Sequence, residues 1–486
     1  MQHLGLLALC GLLLASPGWC AGVALDVALG SAPASAPLPR GFTSFSGGEA
    51  SLDVLSAPLP GGGHAPRASW VSLMALLGGG ANVRLGHFYA RAGTNHSFPP
   101  AYIELNATSA GRLQQALAAY GGTASGLIPP LEDAGGQFAA ATGLALSAIP
   151  GVVSVELANE PDISSFRGNF SGYAARLRVW LSALAAAGAP AALVDAPVLA
   201  GTAWWPQMPA FLAEFAPRLH AFAQHRYGLS ACSRTPPTAP ALLQVEPTWS
   251  SANDTALLAA AAAAGLPWQV GEGNTVSCNG SQGVSDVFAS ALYAIDASLS
   301  AAAANATAFK WHGLGYPAQG YFYQPIFYDP QQLRVPGWDA PQPRPLFLGL
   351  WLLAEAAPAG SALLQASANA TGSALLRAWA VARAGGGRSV VALHKDAGAG
   401  AARVRVAAAP GSAAALCRLG QRAELLRLLP GTGGASARQG STYANQSFDG
   451  GGGVPGGQRA GEAVVCSAQG VFEFQLPSVS AAVLRF

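Results

Sequence analysis

From about Arg40 to Gly315 the chain alternates short apolar runs with longer Ala-rich stretches. Gly41–Phe45, Asn82–Gly86, Val152–Asn159, Pro197–Gly201, His220–His225, Trp268–Gly271 and Phe309–Gly313 have strand length and character. An eighth candidate, around Gly126–Pro129, is less sharply marked. Between them Tyr173–Ala187, Pro209–Phe215, Thr255–Ala264 and Ser285–Ser298 read as helices. Strands that alternate with helices imply a parallel sheet. About eight such units over roughly 300 residues predict a (β/α)8 TIM barrel rather than an open sheet.

Past Ala357 the pattern changes to short strands between Gly-rich turns. Leu375–Ala382, Ser389–His394, Ala402–Ala407, Ala413–Leu419, Glu424–Leu429 and Val471–Phe486 predict a C-terminal antiparallel β-sandwich. The early run Val23–Leu29 is also strand-like and is placed as an added strand of that sandwich. The expected division is therefore a barrel over 22–356, with 22–38 assignable to the sandwich, and a β-domain over 357–486.

Composition narrows the class. The 486 residues are 51% hydrophobic and 10% charged with a net charge of +2, which gives no basis for binding nucleic acid or an anionic membrane. Leu6–Ala15 followed by Pro17 and Gly18 reads as an export signal over residues 1–21. That run is shorter than the roughly 20 residues a membrane span needs. Eight Asn-x-Ser/Thr sites, at Asn95, Asn106, Asn169, Asn253, Asn279, Asn305, Asn369 and Asn445, agree with an exported glycoprotein. Of six cysteines, Cys10 and Cys20 fall in or beside the signal. Cys232, Cys278, Cys417 and Cys466 remain, an even number that favours two disulfides. The first two follow neighbouring barrel strands and the last two share the β-domain, so the expected pairs are Cys232–Cys278 and Cys417–Cys466.

Two segments carry candidate chemistry. In Val155–Pro161 a strand ends in Asn-Glu-Pro, and proline cannot continue a central strand. Glu160 should therefore sit at the C-terminal rim, where barrel enzymes hold their catalytic residues. By period-two alternation Glu156 and Ala158 should point into the barrel. Trp268–Gly280 ends another strand in Gly271-Glu272-Gly273, which gives Glu272 the same address three strands later. Two rim carboxylates meet the need of glycoside hydrolysis, one to protonate the leaving oxygen and one to attack or to activate water. No metal-ligand spacing is visible, and that chemistry needs no cofactor.

VELANEPD resembles the acid/base motif of the (β/α)8 glycosidase clan with catalytic glutamates on strands four and seven. GEGNTVSCNG is similar to the nucleophile segment of glycoside hydrolase family seventy-nine, which includes β-glucuronidases and heparanase. The resemblance implies a retaining mechanism, with Glu160 as acid/base, Glu272 as nucleophile and a carbohydrate as substrate. It further implies that Arg84 holds the nucleophile ionised, that Asn159 binds the sugar 2-hydroxyl, and that His225 and Tyr227 stand beside the nucleophile. Trp311 is expected under the sugar, and Trp204 and Trp205 along the cleft. The loop after strand eight, with His312, the amides of Gly315 and Tyr316 and the Tyr316 hydroxyl, is expected to read a sugar carboxylate without help from Lys or Arg; Lys310 alternates away from Trp311. An exo-acting β-glucuronidase is the expected activity. A retaining enzyme for a neutral sugar and an inactive carbohydrate binder are the alternatives. The sequence departs from the family at Leu85-Gly86-His87-Phe88, where a Gly-Gly-Asn-like turn is usual, and at Ala158, where Gly is frequent.

Overall fold

The computed structural model describes residues 23–48, 51–90, 102–129, 135–315, 321–412 and 415–486. Eight parallel strands close into a barrel: Thr43–Gly47, Asn82–Leu85, Thr123–Ile128, Val152–Leu157, Val194–Leu199, Leu219–Ser230, Trp268–Ser277 and Phe309–Leu314. Each pairs with the next, and the last pairs with the first through Phe309–Thr43 and its neighbours. The weakly marked third strand is thus a full member, longer at its start than the sequence indicates.

The helices around the barrel bury one stripe each. Phe170–Ala186 turns Tyr173, Leu177, Trp180, Leu181 and Leu184 inward, at the three- and four-residue spacing of a helix face. Ala289–Ala303 is different, because it is buried nearly all round. It lies between the barrel and the β-domain beside a second apolar helix, Pro345–Ala356. Asp296 in its middle takes Lys395 Nζ at 2.8 Å and Trp379 Nε1 at 3.0 Å, both from the β-domain. A charge this deeply buried requires such partners.

The second unit is a ten-stranded sheet. Every pairing in it is antiparallel except that of Ala24–Pro33 with Ala402–Ala408, which is parallel. The expected all-antiparallel sandwich is therefore a mixed sheet. The cause is an N-terminal strand that inserts between Ala362–Thr371 and Ala402–Ala408. Period-two alternation then splits the side chains. Val390, Ala392, Ala482 and Leu484 pack in the β-domain's own core, while Val391, Leu393, Ala481 and Val483 join the core shared with the barrel. Two expectations fail here. Ala413–Leu419 holds no strand among its described residues; Cys417 in it is fastened by a disulfide to Cys466 instead. Val471–Phe486 is two strands, Phe472–Leu476 and Ser480–Arg485, broken at Pro477, which has no N–H to give a ladder.

Candidate active site

At the end of the fourth strand the backbone enters the left-handed region at Ala158 (φ 81°) and again at Glu160 (φ 47°). Such positions cost about 1–3 kcal/mol each in a residue with a Cβ and persist only where the surroundings enforce them. Here the enforcement is visible. Ser164 Oγ donates to the Asn159 and Glu160 carbonyls at 2.9 and 2.7 Å. Asp162 accepts from the amides of Ala200 and Gly201 at 3.1 and 2.7 Å, which ties this loop to the loop after strand five.

The seventh strand reaches the rim through a local irregularity. Val270 pairs with Gln224, but the next pair is Glu272 with His225, so Gly271 is an extra residue. An inserted residue of this kind re-aims the side chain that follows. A Cβ on Gly271 would stand 2.9 Å from Ala223 Cβ, and one on Gly273 would stand 2.7 Å from the Phe309 ring. Only glycine fits on either side of Glu272.

The two carboxylates have unlike surroundings. Glu272 Oε2 accepts from Arg84 Nη1 at 2.9 Å, and Glu272 Oε1 accepts from the Tyr227 hydroxyl at 2.6 Å. Arg84 also donates to Glu156 at 2.7 Å, Ser46 at 3.1 Å and Asn159 Oδ1 at 2.6 Å. Burial pushes the Glu272 carboxyl up, but the imidazoles of His312 and His225, the Arg84 guanidinium and the Tyr227 hydroxyl outweigh it and hold the group at about 2. His312 is itself pushed down by burial to about 4, so near neutral pH it is uncharged while Arg84 keeps its charge. Among the described residues no guanidinium contacts Glu160. Its Oε1 meets His225 Nδ1 at 2.8 Å, and its side chain is 23% exposed against 11% for Glu272. His225 Nε2 is buried with no hydrogen-bond partner among the described residues, so the geometry favours a proton on Nδ1, donated to Glu160.

One ligand atom each of Glu160, His225 and Glu272 lies within 4.8 Å of the others. This donor set, not visible as a spacing in the sequence, could hold a cation. Glu272 is already engaged by Arg84 and Tyr227 on its two oxygens, and a cation would have to displace them. The glutamates open onto a cleft of about 770 Å³ lined also by Ile163, Trp205, Gln224, Tyr227 and Tyr323.

The structure thus brings Arg84, Asn159, Glu160, His225, Tyr227 and Glu272 together. Trp311 is not with them. It is fully buried, stacked on Phe309 with centroids 4.3 Å apart and edge-on to Tyr293 of the outer helix, so it faces away from the barrel interior. Lys310 and His312, one residue either side, point inward instead: Lys310 Nζ donates to Ser125, and His312 Nδ1 lies 3.0 Å from Ser46 Oγ and 3.5 Å from Glu272 Oε2. His312 is therefore packed beside Glu272 and not on an open loop. Trp204 is also buried, against Phe170 and Tyr173, and only Trp205 of the pair lines the cleft. Tyr316 lies outside the described residues. Both expected disulfides form, and Cys232–Cys278 joins the rim loops after strands six and seven. Asp162, Ser46, Gln224 and Tyr323 escaped the sequence reading. Asp162 alone had a signal, since it directly follows the Asn-Glu-Pro motif.

No protein-family model matches this sequence, and no curated protein matches it. Solved structures do. A 4-O-α-L-rhamnosyl-β-D-glucuronidase from Fusarium oxysporum 12S is similar over 95% of this chain and 100% of its own, with a TM-score of 0.73 and 17% identity. A GH51 arabinofuranosidase from Xanthomonas axonopodis pv. citri covers 95% of this chain and 99% of its own at a TM-score of 0.64 and 14% identity. A GH39 enzyme from the same organism covers 97% and 99% at a TM-score of 0.58 and 14% identity. At such identities the likeness establishes the shared fold, a closed parallel barrel with an attached β-domain.

Proposed function

We propose that the protein is a retaining β-glycosidase in which Glu272 is the nucleophile and Glu160 the acid/base. The observation that carries this is the contrast between two neighbouring carboxylates, one oxygen of each lying within 4.8 Å of the other. Retention needs carboxyl groups only about 5–5.5 Å apart, because the nucleophile attacks carbon directly and no water stands between. Glu272, clamped by Arg84 and Tyr227, stays ionised and ready to attack C1 of the sugar. Glu160, open to the cleft, gives its proton to the leaving oxygen as the glycosyl–Glu272 ester forms. It then takes a proton from the water that cleaves that ester, and both groups return to their starting states. Asn159 is the group assigned to the sugar 2-hydroxyl, with its Oδ1 fixed by Arg84 and its amide N–H left to donate.

The preferred substrate is a β-glucuronide cleaved from its terminal end, in an exported glycoprotein. The glucuronidase among the structural neighbours and the sequence resemblance support this reading. The loop after strand eight remains the proposed reader of the acid group. The test is a panel of chromogenic β-glucuronide, β-glucoside and β-galactoside. Preference for the glucuronide supports the full proposal. Turnover of the neutral sugars alone leaves a retaining glycosidase of different specificity, and no turnover of any favours a binding protein. If Tyr316→Phe weakened glucuronide and glucoside hydrolysis equally, that loop would not read the acid.

A further inference from the structure

Beside the catalytic cleft lies a second cavity of about 400 Å³ on the same rim. Thr202 and Trp205 line both, so the two spaces adjoin at the Trp205 side chain. The walls of the second cavity are Trp205, Pro206, Pro209 and Leu257, and no charged side chain among the described residues lines it. Its polar contributors are Thr202 and Asn253. On the cleft side, Ile163 is 51% exposed three residues after Glu160, an unusual place for a bare aliphatic side chain.

This wall is held rigidly against the acid. Trp205 Nε1 donates to Gln224 Oε1 at 3.1 Å, and Gln224 Nε2 donates back to the Leu199 carbonyl at 3.1 Å. Asp162 ties the loop carrying Glu160 and Ile163 to the Ala200 and Gly201 amides, just before Trp205. In a retaining displacement the leaving group departs on the side of the acid, opposite the nucleophile. Strand five, which precedes the Trp205 loop, neighbours the strand of Glu160, while Glu272 is two strands further round.

We propose that the apolar side of the cleft at Ile163 and Trp205, with the adjoining cavity that shares Trp205, is a leaving-group site built for a planar, apolar aglycone of the aryl class. The substrate would then be a small-molecule β-glycoside and not a chain of sugars. A sugar ring in the second cavity would bury several hydroxyls with few partners, which is costly. An aromatic ring loses nothing there and gains stacking on Trp205. The inference rests on the glycosidase reading for its direction, but the cavity can be tested without turnover.

Two β-glycosides of the sugar the panel selects, with monocyclic and bicyclic aryl leaving groups of matched acidity, are compared with a disaccharide. Trp205→Ala should raise KM for the bicyclic substrate about tenfold while kcat stays within about twofold, and Trp205→Phe should restore most of it. The monocyclic and disaccharide values should move less. An equal or larger KM rise for the disaccharide would overturn the proposal. Independently, calorimetry should detect the free bicyclic phenol binding to the Glu272→Gln protein, and binding should weaken in Glu272→Gln/Trp205→Ala. Absence of binding would overturn the cavity assignment even if glycosides are cleaved; binding without any turnover would retain it and overturn the glycosidase reading. Asn253 begins a glycosylation site, so Asn253→Gln is run beside it. Phenol that binds only that variant would identify a glycan as the occupant and end the proposal.

Discussion

Arg84 Nη1 stands 2.9 Å from Glu272 Oε2, and the same guanidinium holds Glu156, Ser46 and Asn159. One planar fork thus fixes both the proposed nucleophile and the residue proposed for the sugar 2-hydroxyl. A lysine keeps the charge but cannot span four acceptors in one plane. Arg84→Lys should fold and lose on the order of 10²-fold in kcat/KM, with part of the loss in kcat. Steady-state kinetics check this. Wild-type values in Arg84→Lys would mean that only the charge matters.

Tyr227 should set the acid limb of the pH profile. Glu272 is held at about 2, below its ordinary 4.5. A depressed carboxylate adds stability that is present above about 4.5 and lost as the pH falls towards 2, and it stays ionised over the same range. Tyr227→Phe removes the donor 2.6 Å from Oε1, so the carboxyl should rise and the acid limb of kcat/KM should move up with it. A limb at the same pH in both proteins would show that the hydroxyl does not tune Glu272.

Glu160→Gln should separate substrates by leaving-group acidity. A poor leaving group needs its oxygen protonated, whereas an activated aryl group departs with little help. Losses should be largest for alkyl or sugar leaving groups and small in the first step for activated aryl groups. Equal losses on both would remove the acid role from Glu160.

The barrel was legible because most of its strands contain a short apolar run that gives way to Gly, Pro or a polar residue, and the two glutamates stand where two of those runs end. The sixth and seventh strands nevertheless continue to Ser230 and Ser277, so Glu272 lies within its strand and not at its end. What failed had physical causes. Ala362–Thr371 was missed because most of it is exposed and built of small and polar residues. The parallel pairing of Ala24–Pro33 depends on which distant strand it meets, and local pattern does not encode that. Trp311 was misjudged although parity held the answer: with Lys310 and His312 inward, its ring had to face the helices. Ala158 carries a φ of 81°, which glycine would accept without strain.

Trp311 accordingly serves packing. Trp311→Phe should cost about 1–3 kcal/mol of stability and leave KM nearly unchanged. Thermal unfolding and steady-state kinetics on the same preparation check both halves. A large KM change without loss of stability would return Trp311 to the sugar.

The central claim is that Glu272 becomes covalently glycosylated. A 2-fluoro glycoside with an activated leaving group forms the intermediate faster than water removes it, because the fluorine destabilises the second transition state. After incubation, peptide mass spectrometry should find one added fluoroglycosyl group on the fragment carrying Glu272, and none in Glu272→Gln. The label on Glu160, or no label while the substrate is hydrolysed with inversion at the anomeric carbon, would contradict the account.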